Sequence, residues 1–317
     1  MDIATYQRFG LHRPFGTNDF WGEEVNGRTN KDLHGATDVP GDRQYNPCAE
    51  AYPQGDIPSG TLTAFSAWKS CRYFPETVRD MWVYTPYRFN PADSAPAVMV
   101  FQDGEWYCNP HGAVRATKVF DALIDAGDMP ATIAVFLMPG KPIEFDSQSV
   151  LSEDDQAHRQ RSLEYDSCTE VYGQFLCDEL LPFVEQHIGG RLTDDPTWRT
   201  LCGASSGGIC AFNAAWHWPE AFGRVLSHCG SFVNIRGGHH YPYLVRSTPR
   251  KPIRVFLQSG RADANCVSGH WPLANQQMAA ALDYAGYDAK FVYGEGGHSL
   301  RHGGAIFADS LRWLWRE

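Results

Sequence analysis

The sequence lacks the segments that carry a chain into or across a membrane. It begins MDIATYQRFG, with no basic start followed by an apolar stretch, so we expect no secretory signal peptide. No apolar run approaches the ~20 residues that span a bilayer. We therefore expect a cytoplasmic protein with no membrane partner.

Basic residues are also scarce, and they form no cluster. Lys and Arg number 27 against 37 Asp and Glu, which gives a formal net charge of −10 at pH 7. A nucleic-acid-binding surface needs clustered Lys and Arg to neutralise the phosphates. This balance argues against a nucleic-acid partner and leaves a small-molecule partner open.

Cysteines are present, but their spacing suits neither disulfides nor a metal. The nine cysteines are scattered, odd in number and form no C-x-x-C pair, which predicts reduced and mostly buried thiols. The adjacent His239 and His240 have no cysteine at ligand spacing, so we predict no metal site. We also expect no cofactor.

The chain divides into an irregular arm and one large domain. Residues 1–57 are rich in Gly, Pro, Asn and aromatic residues and have neither helical nor strand periodicity. We expect this arm to wrap the main domain or a neighbouring subunit, so a homo-oligomer stays possible. Residues 58–317 form the second part.

Strands and helices alternate through residues 58–317. Continuous apolar runs predict buried strands, and amphipathic segments between them predict helices. This alternation predicts an α/β fold with a mainly parallel central sheet and helices on both faces. Functional groups are then expected at the carboxyl ends of the strands. The main predicted strands are 79–86, 95–104, 131–140, 197–203, 253–260 and 289–297, and the main helices are 113–127, 168–188, 207–218 and 272–286.

The segment GASSG (203–207) matches the nucleophile pattern G-x-S-x-G. A predicted strand precedes it and a helix follows, as the strand–turn–helix elbow requires. Ser205 has glycine at both −2 and +2, whereas Ser206 has Ala204 at −2, so Ser205 is the predicted nucleophile. The backbone N–H of Ser206 is then placed to stabilise an oxyanion at the helix N-terminus. The alternative role for this segment is a helix cap in a glycine-rich turn.

A serine nucleophile needs a base and a carboxylate that orients the base. Asp263 lies in the loop after strand 253–260 and is the predicted acid, with a turn cap as the alternative role. His298 lies in the glycine-rich loop after the last strand and is the predicted base. His302, four residues further on, is the competing candidate.

Over about residues 58–317 the sequence resembles the enterochelin-esterase-like (esterase D type) branch of the α/β-hydrolase superfamily. The motifs that carry the resemblance are CGASSGG, SGRAD, VFQDGEWY and GGHSLRHGGAIFADSLRWLW. This branch is related to feruloyl esterases, S-formylglutathione hydrolases and mycolyltransferases. The resemblance implies an α/β-hydrolase fold and agrees with Ser205, Asp263 and His298 as a triad. Siderophore-esterase members carry an N-terminal β-sandwich, for which residues 1–57 are too short.

The resemblance also implies that the loop after strand 95–104 completes an oxyanion hole. The candidate donors are the backbone N–H groups of Gly104 and Glu105. Trp106 and Tyr107 would then line the acyl or alcohol pocket.

Further substrate contacts are predicted from residue type and position. Arg161 either pairs with Glu164 at i, i+3 or faces the cleft and binds an acidic or hydroxylated substrate. Phe232 and Trp271 are aromatic candidates near the same cleft. The polar segment 141–160 predicts a mobile rim, and residues 234–243 predict the opposite rim.

Together these features predict a serine carboxylic-ester hydrolase that works through an acyl-enzyme. The expected partner is a small-molecule ester of siderophore, feruloyl or sugar type. Two alternatives stay open: an acyltransferase on the same triad, and a catalytically silent binding protein on the hydrolase scaffold.

Overall fold

The computed structural model describes residues 39–317, except 54, 71, 88, 93, 94, 150 and 151. Most of the predicted arm, residues 1–38, lies outside the described residues. The rest of it contains two short 3-10 turns, Pro40–Gln44 and Ala49–Ala51. Ala51 is buried in a core cluster of the main body, so this part of the arm packs on it.

A central sheet of mostly parallel strands organises the molecule. The strand order is β1-β2-β4-β3-β6-β7-β8-β11, and β5 pairs with β2. Pairing is parallel from β4 through β3 to β11 and antiparallel at β1, β2 and β5. This confirms the predicted mainly parallel sheet. The strands are β1 Thr61–Ser70, β2 Thr77–Thr85, β3 Ala97–Gln102, β4 Thr132–Leu137, β5 Lys141–Pro142, β6 Arg199–Ala204, β7 Arg224–His228, β8 Arg254–Gly260 and β11 Asp288–Gly294, with a separate hairpin of β9 Asn265–Cys266 and β10 Gly269–His270.

Helices cover both faces of the sheet. Because side chains alternate along a strand, Val98 and Val100 join one core cluster while Met99 and Phe101 join the other. Helices α3–α8 contribute to the first cluster, and α1, α2 and α10 contribute to the second. The helices are α1 Gly104–Cys108, α2 Ala116–Ala126, α3 Glu153–Tyr165, α4 Val171–Phe175, α5 Leu181–Ile188, α6 Ser206–His217, α7 Tyr241–Ser247, α8 Trp271–Tyr284, α9 Arg301–Ala305 and α10 Phe307–Trp315, and a π-helical turn Leu176–Leu180 joins α4 to α5.

The polar segment predicted as a rim contains a regular helix. Residues Glu153–Tyr165 form α3 although the segment has no apolar stripe. The Ser152 hydroxyl caps the helix by accepting a hydrogen bond from Asp155 N–H at 3.2 Å. Three acidic residues in the first turn also favour the helix dipole. Caps and charges, rather than periodicity, explain this helix.

Among the residues described, no helix has both the length and the apolar character that a bilayer crossing needs.

Candidate active site

The nucleophile elbow adopts a backbone that only small neighbours allow. Ser205 has φ 58° and ψ −123°, a strained conformation for a residue with a side chain. A Cβ on Gly203 would lie 2.2 Å from the Gly207 carbonyl oxygen. A Cβ on Gly207 would lie 3.1 Å from Cβ of Gln102. Gly203 is therefore required by the tight turn itself, whereas Gly207 leaves room for the end of β3 beside the turn.

Ser205, His298 and Asp263 form one chain of hydrogen bonds. Nε2 of His298 lies 2.8 Å from Oγ of Ser205, and Nδ1 lies 2.6 Å from Oδ1 of Asp263. An ionised carboxylate only accepts, so Nδ1 carries the proton and Nε2 is free to accept from the serine hydroxyl. The three residues come from β6, β8 and β11, each at or just beyond the carboxyl end.

The carboxylate of Asp263 is held in place by two further donors. Its Oδ1 accepts from the Ala264 N–H at 2.7 Å, and its Oδ2 accepts from the Ser259 hydroxyl at 3.1 Å. The side chain is fully buried, whereas that of His298 is 11% exposed. The buried carboxylate is thus a fixed acceptor that orients the imidazole, and the imidazole itself stays partly exposed.

His302, the competing histidine, has a different environment. Its ring stacks on Tyr45 with centroids 4.2 Å apart, and its Nδ1 accepts a hydrogen bond from Nε2 of Gln258 at 3.0 Å. Burial lowers the pKa of His302 and keeps the ring neutral. The structure therefore brings His298, and not His302, to Ser205.

Ser231 is a second neighbour of the nucleophile that sequence reasoning missed. Its Oγ lies 3.3 Å from Oγ of Ser205 and accepts from Nε1 of Trp271 at 3.3 Å. The Trp271 ring also meets His298 edge-on, with centroids 5.6 Å apart. The available signal was position, because Ser231 follows β7, the strand beside β6.

The predicted oxyanion donors lie at the starts of α1 and α6. Ser206 is the first residue of α6, where a helix leaves its N–H groups without intrahelical acceptors. Gly104 begins α1, and a Cβ there would lie 2.2 Å from the carbonyl carbon of Phe136. The Glu105 N–H lies 3.5 Å from Sδ of Met138, a weak acceptor that a stronger one can replace.

Arg161 holds the loop that precedes these donors. Its Nε and Nη2 bind the two carboxylate oxygens of Asp103 at 2.9 and 2.7 Å. The predicted Arg161–Glu164 pair is wrong, because Glu164 forms a fully buried ion pair with Arg79 at 2.8 Å instead. Asp103 occupies the Nε and Nη2 edge of the Arg161 guanidinium, so this edge is not free to bind a substrate.

The aromatic candidates separate into buried and accessible groups. Tyr107 is fully buried, and its hydroxyl lies 2.9 Å from Nδ1 of His228. Phe232 and Trp271 are also buried, and Phe232 packs edge-on against Phe212. None of these three rings lines an open pocket in this arrangement, contrary to the prediction. Trp106 is half exposed and stays available beside the loop.

The fold creates one cluster of possible metal ligands that residue spacing could not indicate. Among the described residues, ligand atoms of Cys229, Asp263 and His298 lie within 4.8 Å of one another. The three come from separate loops, so the sequence-based expectation of no metal site did not consider them together.

Comparison with known proteins gives a family and a fold. Residues 75–313 match the model of the family described as "Putative esterase". An iron(III) enterobactin esterase of Dickeya dadantii (strain 3937) is 28% identical over 267 residues, which cover 78% of this chain and 53% of that protein. The chain thus spans about half the length of this curated relative.

Two solved structures have a similar fold. Enterochelin esterase from Shigella flexneri has a TM-score of 0.63 at 22% identity, covering 85% of this chain and 61% of that one. A CE1 ferulic acid esterase from Anaeromyces mucronatus has a TM-score of 0.61 at 16% identity, covering 84% of this chain and 95% of that one. Since the family match covers most of the chain, the protein belongs to the "Putative esterase" family, and its fold is that of the enterochelin-esterase-like α/β-hydrolases.

Proposed function

We propose that this protein is a serine carboxylic-ester hydrolase that works through an acyl-enzyme on Ser205. The observation that carries the proposal is the continuous hydrogen-bonded chain from Ser205 through His298 to the buried Asp263. Membership of an esterase family supports the same reaction class.

In the first half of the proposed reaction, Oγ of Ser205 attacks the ester carbonyl carbon while Nε2 of His298 takes the hydroxyl proton. The carbonyl oxygen becomes an oxyanion, which accepts hydrogen bonds from the Ser206 N–H and the Glu105 N–H. Asp263 stabilises the imidazolium that forms. The carbon–oxygen bond to the alcohol then breaks, and His298 gives the proton to the leaving oxygen.

In the second half, water replaces the alcohol. His298 takes a proton from water, the resulting nucleophile attacks the acyl carbon, and the bond to Ser205 breaks as His298 returns the proton to Oγ. The products are a carboxylic acid and the free enzyme. Water supplies the proton that His298 returns to Oγ, so the proton balance of this half closes.

The proposed substrate is an ester that carries a hydroxylated aromatic ring. Relatives are described as iron(III) enterobactin esterases and ferulic acid esterases, and one solved relative was studied with 2,3-dihydroxy-N-benzoyl-serine. Trp106 lies on α1 directly after the candidate oxyanion donors, is half exposed, and offers a stacking face for such a ring. We therefore favour siderophore and feruloyl esters over plain sugar esters as the substrate class.

The decisive test compares Ser205→Ala with Ser206→Ala on nitrophenyl, feruloyl and dihydroxybenzoyl-serine esters. We expect Ser205→Ala to lower kcat by about 10⁴-fold or more, because it removes the atom that forms the acyl bond. Ser206→Ala should retain most of the activity, since its proposed contribution is a backbone N–H. Circular dichroism would check that both variants fold. Full turnover by Ser205→Ala would contradict the assignment.

Two assays on the wild type and Ser205→Ala test the two alternatives, an acyltransferase and a catalytically silent binding protein. A fluorophosphonate probe labels Ser205 in an active hydrolase or transferase and leaves a silent binding protein unlabelled. Products formed with competing sugar or polyol acceptors distinguish transfer from hydrolysis, because only a transferase makes the new ester in preference to the free acid.

A further inference from the structure

A buried thiol lies beside the base and acid of the candidate active site. Cys229 follows β7 directly, is 2% exposed, and has φ 39° with its N–H donating to the Gln258 carbonyl at 2.7 Å. This backbone hydrogen bond fixes the residue at the carboxyl end of the strand. The proposed ester hydrolysis makes no use of its thiol, so its position next to the catalytic groups needs another account.

The group formed by Cys229, Asp263 and His298 has the composition of a transition-metal site. It offers one sulfur, one carboxylate oxygen and one imidazole nitrogen, all within 4.8 Å of one another. Tetrahedral Zn²⁺ holds such ligands at about 2.0–2.3 Å, which sets ligand atoms about 3.5 Å apart. Binding therefore requires the three ligand atoms to move closer together. The His298 side chain is 11% exposed, so an ion can reach the three ligands from the solvent on this side.

We propose that Cys229, Asp263 and His298 form a binding site for a thiophilic divalent cation of the Zn²⁺ class, and that its occupancy switches the esterase off. Cys229 binds as the thiolate, so its proton is released to solvent as the cation binds. Three protein ligands leave a fourth position for water, which is a common arrangement for zinc. Mixed sulfur and nitrogen donors favour Zn²⁺ over Mg²⁺ or Ca²⁺, which prefer oxygen ligands.

Coordination disables the base whichever ring nitrogen binds. A cation on Nδ1 displaces the proton there, and the neutral ring then carries its proton on Nε2, which can no longer accept from Ser205. A cation on Nε2 occupies that lone pair directly. The cation also takes an oxygen of Asp263, so the carboxylate no longer orients the ring. The inhibitory half of this inference rests on the proposed function, whereas the binding half does not.

The first experiment titrates Zn²⁺ into the wild-type chain and into Cys229→Ser while hydrolysis of a nitrophenyl ester is followed. Each rate is expressed relative to the rate of the same protein in EDTA, so a change in basal activity does not affect the comparison of Zn²⁺ sensitivity. We expect Cys229→Ser to need at least about tenfold more Zn²⁺ for half-inhibition, because even outer-shell partners are worth about 10–100-fold in metal affinity. Cys177→Ser, at a half-buried cysteine on the π-helical turn, is the matched control and should behave as the wild type.

A second measurement does not depend on catalysis. Calorimetry on Ser205→Ala should detect one Zn²⁺ site that Ser205→Ala/Cys229→Ser lacks, and Mg²⁺ should not compete for it. Cys229→Ala replaces the serine variant if the latter does not fold. Equal Zn²⁺ sensitivity of the Cys229 and Cys177 variants, or equal calorimetric binding with and without Cys229, would overturn the proposal. If no protein, including the wild type, hydrolyses the ester while calorimetry still detects the Zn²⁺ site, that result would count against the proposed function alone.

Discussion

At the nucleophile, two serines and a tryptophan give the hydrogen bonds a direction. The indole N–H of Trp271 can only donate, so Oγ of Ser231 accepts from it. The hydroxyl proton of Ser205 points to His298, which leaves the Ser231 hydroxyl to donate to Ser205. The chain therefore runs from Trp271 to His298 and holds the reactive oxygen in one rotamer.

Removing the Ser231 hydroxyl should slow the reaction moderately. A neutral hydrogen bond contributes about 0.5–1.5 kcal/mol, so we expect Ser231→Ala to lower kcat by about 2- to 12-fold with little change in KM. Trp271→Phe removes the indole N–H together with part of the buried ring that packs on His298, so its effect should be at least as large. Steady-state kinetics on a nitrophenyl ester measure both. An unchanged kcat in Ser231→Ala would mean that this hydroxyl does not position the nucleophile.

Sequence reasoning at this scale succeeded where stereochemistry is strict. The flanking glycines selected Ser205 because a side chain at Gly203 would collide with the turn and one at Gly207 would crowd Gln102 on β3. The prediction that Tyr107 and Phe232 line a pocket was wrong, because the sequence does not show whether an aromatic residue near a site lines a cleft or fills the core. Ser231 and Cys229 were missed because their neighbours are distant in sequence.

At the scale of elements, α3 acts on the candidate active site through one ion pair. Arg161 on α3 binds Asp103, and Asp103, in the left-handed region at φ 55°, precedes the two candidate donors on α1. Asp103 is buried, so the guanidinium is the fixed partner that holds this turn. A change on α3 can thus shift the Glu105 N–H without touching the substrate.

We therefore expect Arg161→Lys to lower kcat while KM changes little. Lysine offers a point charge in place of a planar fork, so it keeps the charge but loses the two parallel hydrogen bonds. Loss of one oxyanion donor costs about 10²–10³-fold in kcat, and a displaced donor should cost about tenfold or more. Arg159→Lys, at an exposed arginine on the same helix, is the control. Equal kinetics for both variants would mean that Arg161 serves the fold alone.

Elements with a strong apolar signal were predicted well, and α3 and β1 were not. The buried strands β3 and β4 are almost uninterrupted apolar runs, and β8 contains the apolar run Val255–Leu257, as a sheet covered on both faces requires. Helix α3 has polar residues on all sides and is held by its cap and by buried ion pairs, which have no periodicity. Strand β1 lies at the sheet edge, is mostly exposed, and is interrupted at Ala67 with φ 54°.

At the scale of the whole molecule, the segment before the sheet supports the loop that carries His298. Oδ1 of Asp42 accepts from the Gly297 N–H at 3.1 Å, and the Tyr45 hydroxyl accepts from the Glu295 N–H at 3.0 Å. These contacts join parts of the chain about 250 residues apart. No local sequence pattern could predict these contacts, because each partner resembles an ordinary turn residue in the sequence.

The core also contains histidines that make the stability depend on pH. Burial, with a smaller effect of His302, lowers the pKa of His228 from 6.5 to about 3, so the folded protein keeps this ring neutral. In the unfolded chain the ring takes a proton below pH ~6.5. The unfolded state therefore binds more protons between about pH 6.5 and 3, and stability is lost as the pH falls through this window.

Replacing His228 by asparagine should flatten this dependence. One proton corresponds to about 1.4 kcal/mol per pH unit, so the free energy of unfolding should fall less steeply in His228→Asn by about that slope between pH 6 and 4. Urea unfolding at several pH values in EDTA measures the slope, which is independent of any constant cost of the substitution. His111→Asn, at an exposed histidine, should keep the wild-type slope. Identical slopes for His228→Asn and the wild type would mean that His228 is not the neutral buried base assigned here, and that the acid sensitivity comes from other groups.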